Sequence, residues 1–145
     1  MKNILKTLLS ILLIMLLFGC DRKTYYWNFE QSISEVKQIS IMYIENFRTT
    51  KFEDFTQIKV IDPLHYENFY NDIMEIEMRK CDSMYDPRGY CFVINYKNGT
   101  CCFLSKVGSG HTYYNEKYEE FSFCYGNLMF DEHSYILVLN KYLAE

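Results

Sequence analysis

"CFVINYKNGTCCFLSK", residues 91–106, decides the fold. Asn98-Gly99 lies between two apolar stretches, and that dipeptide signals a tight type I′ β-hairpin turn, which needs positive φ at both central residues. A two-residue turn sets Lys97 against Thr100, Tyr96 against Cys101, Asn95 against Cys102 and Ile94 against Phe103. One face then carries Phe92, Ile94, Tyr96, Cys101 and Phe103. The other carries Val93, Asn95, Cys102 and Leu104. The first face is the more apolar and is expected to meet a helical layer. Asn98-Gly99-Thr100 also matches the glycosylation sequon, read here as turn chemistry.

Two further strands are expected upstream. "VKQISIMYIENF" (36–47) places Ile39, Ile41 and Tyr43 on one face, alternating with Ser40, Met42 and Ile44. "NFRTTKFED" (46–54) reads as a turn, and "FTQIKVI" (55–61) as a second strand with Ile58 and Val60 together. The period then changes. Asp62 can cap a helix and Pro63 suits its first turn. Tyr66, Phe69, Tyr70 and Ile73 follow at helical spacing, so a helix is expected over 63–78.

Downstream of the hairpin, "VGSGHTYYNEK" (107–117) reads as a glycine-containing loop and "YEEFSFCYG" (118–126) as another strand. Asp131 then caps a closing helix with Tyr135, Val138, Leu139 and Tyr142 on one side. The order β-β-α-β-β-β-α implies an α+β fold: a small two-layer sandwich, an antiparallel sheet with two helices on one face.

The first residues are of another kind. Lys2 and Lys6 precede an uncharged run from Thr7 to Gly19. That is the length of a signal-peptide core, roughly 7–15 apolar residues, and short for a membrane span. Leu17-Phe18-Gly19-Cys20 resembles the lipobox of bacterial lipoproteins: Leu17 is the branched residue three before the cysteine, and Gly19 the small one beside it. Phe18 is bulkier than that family's usual middle residue. The resemblance covers residues 1–21 only. It implies cleavage before Cys20, diacylation of its sulfur, and anchoring to a cell membrane or outer membrane with the domain extracytoplasmic. The expected organisation is a signal peptide at 1–19, the lipidated cysteine and a short tether at 20–28, and one domain at 29–145.

Cleavage removes Lys2 and Lys6 and takes the formal charge from −4 to −6. An acidic domain repels phosphate backbones, so nucleic acid is not an expected partner. With Cys20 set aside, Cys81, Cys91, Cys101, Cys102 and Cys124 remain. They contain no C-x-x-C. Adjacent Cys101 and Cys102 on a strand would point to opposite faces, which argues against a shared metal site. Cys81 and Cys91 bracket a turn and form the expected disulfide pair, with buried thiols as the alternative.

No nucleotide, metalloprotease, calcium or hydrolase-elbow motif is present. No catalytic residue, metal or cofactor is therefore assigned. The expected role is a non-catalytic binding module of the inhibitor, immunity or adaptor kind. Its partners would be the membrane, through Cys20, and an extracytoplasmic protein or small ligand. The candidate contact residues are Ser109, His111, Tyr113 and Tyr114 of the 107–117 loop. The alternatives are a small thiol or serine hydrolase using that loop, with Cys102 beside His111, and a structural envelope lipoprotein.

Overall fold

The computed structural model describes residues 24–45, 55–80, 88–106, 108–110 and 128–145. Its strands are β1 (Tyr25–Tyr26), β2 (Val36–Ile44), β3 (Phe55–Val60), β4 (Glu77–Lys80), β5 (Gly89–Tyr96), β6 (Cys101–Ser105), β7 (Gly108–Gly110) and β8 (Leu128–Phe130). Two α-helices join them: α1 (Tyr66–Met74), entered through a 3₁₀ turn at Pro63–His65, and α2 (Glu132–Ala144). The fold is α+β and its pairings are antiparallel, as expected, but the strands form two sheets. A five-stranded sheet has the order β3-β2-β5-β6-β7, and a three-stranded one the order β1-β4-β8.

The central hairpin departs from the expected register by one residue. Asn95 pairs with Cys101, Ile94 with Cys102 and Val93 with Phe103. The loop therefore has three residues, Lys97 to Gly99. The Gly99 N–H donates to the Tyr96 carbonyl at 3.1 Å, and the Tyr96 N–H to the Thr100 carbonyl at 2.9 Å. Gly99 sits at φ +85°. A three-residue hairpin needs one left-handed residue at its third position, and the glycine supplies it. Asn98 does not take part as a type I′ residue. Its side-chain oxygen accepts from the Thr100 N–H and hydroxyl, bracing the turn.

The slip exchanges faces. Phe92, Ile94, Tyr96, Cys102 and Leu104 share the main core with Ile39 and Ile41. Both helices pack there: Tyr66, Phe69, Tyr70 and Ile73 from α1, with Tyr135, Leu139 and Tyr142 from α2. Phe69 meets the Phe92 ring edge-on at 4.9 Å and the Tyr142 ring at 5.5 Å. Cys91, Val93, Cys101 and Phe103 lie on the other face, in a second apolar cluster with Met42, Ile44 and Phe55. β5 and β6 are thus buried on both faces.

Helix caps follow the sequence closely. Asp62 accepts the Leu64 N–H at 2.9 Å, and Asp131 accepts the Ser134 N–H at 3.1 Å. The first helix is shorter than expected because its apolar stripe stops at Ile73. Residues 77–80 leave it to pair with β1 on one side and β8 on the other. The expected tether is also shortened: Tyr25 and Tyr26 form β1, and Trp27 is buried against Phe130. The turn at 46–54 and the strand at 118–126 lie outside the described residues. Among those described, no helix is long and apolar enough to cross a membrane.

Candidate functional site

The expected contact loop is in part a strand. Residues 108–110 pair with β6, Ser109 opposite Leu104, because β6 offers an unpaired edge and the two glycines accept close backbone approach. His111, Tyr113 and Tyr114 lie outside the described residues, as do Cys20 and Cys81. Cys91 is a free, fully buried thiol in the second cluster, and its expected partner Cys81 is not among the described residues. Its position on β5 turns the side chain into that cluster.

Cys101 and Cys102 do point to opposite faces, and both are free and buried. Burial pushes the Cys91 and Cys102 thiols up, so neither is poised as a thiolate. Cys102 lies in the core shared with the helices. Near it, the Tyr70 hydroxyl donates to the Tyr96 hydroxyl at 3.4 Å. Burial raises both phenols, Tyr70 to about 12. This buried pair stays neutral and serves packing. Among the described residues no cluster of His, Cys, Asp or Glu is arranged to hold a metal ion.

A polar recess lies at the turn end of the hairpin. It encloses about 380 Å³ and is lined by Lys37, Gln38, Asn95, Tyr96, Lys97, Gly99 and Thr100. Three local features build it. First, the register of β2 against β5 shifts between Val36, opposite Tyr96, and Gln38, opposite Asn95. Lys37 is the extra residue, and such a bulge re-aims the side chain it carries. Second, the Lys97 N–H donates to the Glu35 carbonyl at 2.8 Å, and its ammonium group donates to the Ser34 carbonyl. Third, Thr100 is held by Asn98 and by the Gln31 amide, which donates to its hydroxyl at 2.8 Å. Gln38 donates to the Ser40 hydroxyl at 3.1 Å, fixing one carboxamide of the wall.

The lining side chains carry two ammonium groups, two carboxamides and two hydroxyls, those of Tyr96 and Thr100, and among the described residues no carboxylate. On a chain of formal charge −4 that is a local reversal of sign. Such a wall can take an anionic oxygen group by charge and by N–H donation. Sequence reasoning missed it. Lys37 and Lys97 meet only because β2 and β5 pair, and the bulge at Lys37 has no local signature. No known protein family, curated protein or solved structure matches the chain.

Proposed function

We propose that the chain is a lipid-anchored, extracytoplasmic binding module that takes an anionic ligand in the recess at the hairpin turn. The observation that carries this is the recess itself: Lys37 and Lys97 face a polar wall without a carboxylate on an acidic protein. Its volume of about 380 Å³ falls within the usual range for small-ligand sites, roughly 300–1,000 Å³. The hydrogen bonds on Gln38, Lys97 and Thr100 hold the wall in place before a ligand arrives, which lowers the ordering cost of binding. The lipobox resemblance at Leu17-Phe18-Gly19-Cys20 supports the anchor. Two acyl chains suffice for stable attachment where one is reversible. The burial of Cys102 speaks against the rival thiol-hydrolase reading, which needs that sulfur exposed beside His111.

The experiment is a titration of the lipidated chain, purified from membranes, with inorganic phosphate and with acetate, followed by amide chemical shifts. Saturable shifts at Asn95, Gly99 and Thr100 are expected, and their loss in the Lys37→Glu, Lys97→Glu double variant. Shifts that persist in that variant, or none in the recess, would sink the ligand reading. Intact mass tests the anchor separately, since a thioether-linked diacylglycerol on Cys20 is required.

A further inference from the structure

We infer that the end of the domain opposite the hairpin turn, carrying Tyr43, Tyr90, Lys106 and Ile136, rests on the surface of the bilayer that holds the anchor. The inference depends on lipidation of Cys20. Its argument begins where the described chain begins. β1 runs antiparallel to β4 with Tyr25 opposite Met78, so Thr24 enters beside Arg79. Three residues separate Cys20 from Thr24, and the four steps reach about 13 Å even when fully extended. The bilayer surface therefore lies against whatever surrounds Arg79.

A chain of contacts defines those surroundings. The Arg79 guanidinium lies 3.6 Å from the Asp131 carboxylate at the start of α2. The next residue, Glu132, takes the Lys106 ammonium at 2.8 Å. Lys106 in turn lines a recess of about 190 Å³ with Arg88, Tyr90, Tyr135, Ile136 and others. Tyr90 meets Tyr43 edge-to-face at 5.1 Å. Tyr43, Tyr90 and Ile136 are 37%, 41% and 40% exposed, large apolar groups left at the surface of one end.

The chemistry there suits a headgroup layer. Tyrosine presents an apolar ring with a polar tip, and long cationic side chains reach from apolar surface to phosphate. Arg79, Arg88 and Lys106 stand at this end among Glu45, Asp131 and Glu132, so the charges are mixed, as on a zwitterionic headgroup layer. The far end differs. There α2 finishes, with Glu145 3.6 Å from His65 and with Leu64 86% exposed. The hairpin turn also lies away from the bilayer, because β5 runs eight residues from Gly89 to Tyr96. The polar recess would then open toward the compartment rather than the lipid.

Paramagnetic relaxation tests the orientation. The lipidated chain is placed in nanodiscs of mixed zwitterionic and anionic phospholipid, with and without a gadolinium-chelating headgroup lipid. Amide signals of Tyr43, Tyr90, Lys106 and Ile136 are expected to lose most of their intensity, while Leu64 and Ile33 keep theirs. Equal loss at both ends, or greater loss at Leu64, overturns the inference while a diacylated Cys20 leaves the anchor standing. Absence of lipid on Cys20 overturns the anchor and this orientation with it.

Discussion

Gly99 holds φ at +85° between residues that all carry side chains. A Cβ there meets the neighbouring carbonyl, so Gly99→Ala is expected to lower stability by about 1–2 kcal/mol. Gly99→Asn should cost less, since asparagine tolerates the left-handed region. Urea denaturation followed by circular dichroism measures both. Cys91, Cys101 and Cys102 are buried. All three should resist maleimide in the native protein and react once urea unfolds it, as mapped by peptide mass. Rapid native labelling of Cys102 would return it to the list of candidate nucleophiles. Asn98-Gly99 was legible as a turn but not as this turn. The two-residue and three-residue loops use the same dipeptide. Polarity could not choose between them, because Cys101 and Phe103 are as apolar as Cys102 and Leu104.

The elements with their own local signals were readable, and those made by distant partners were not. α1 and α2 announce themselves by stripe and cap, and β2, β5 and β6 by alternation or by the turn between them. β1, β4 and β8 are two to four residues long and exist through one another. The recess is hidden for the same reason, since its two lysines arrive on separate elements. The cap of α2 carries a pH dependence. Hydrogen bonds from the Ser134 backbone and hydroxyl, helped by Arg79, hold the Asp131 carboxyl below its ordinary value of 3.8. The unfolded chain therefore takes up this proton first as pH falls. The contribution is complete above the ordinary value and is lost as pH drops through the lowered folded value. Asp131→Ala should cost about 1 kcal/mol near neutral pH. It should also destabilise less at about pH 3, where wild type has begun to lose the same contribution. Chemical denaturation at the two pH values gives the comparison.

Across the molecule the core is aromatic and its polar tips are buried. The Tyr135 hydroxyl donates to the Leu104 carbonyl at 2.8 Å, and Tyr142 donates to Asp72 at 2.6 Å. Burial raises the hydroxyls of Tyr70, Tyr96, Tyr135 and Tyr142 and the thiols of Cys91 and Cys102. The unfolded chain ionises these thiols near 9.0 and these phenols near 10.0, whereas folded Tyr70 holds its proton to about 12. Above the unfolded values the native state binds more protons, so this stability is complete below them and falls as pH rises. Urea midpoints should decline steadily from about pH 8 to about pH 11, and a flat profile would contradict the burial of these groups. The hairpin buried on both faces bears on how the chain finds this state. A strand pair with one wet face rejects a one-residue slip at once, because the slip drowns polar groups and exposes apolar ones. Here a slipped pairing buries almost as much, and the turn, with Gly99 and its Asn98 brace, and the bulge at Lys37 distinguish the two. The landscape therefore contains a near-native competitor, and the turn decides the race. Stopped-flow refolding of Gly99→Ala should show a slow phase missing from wild type, as misregistered chains unzip and try again.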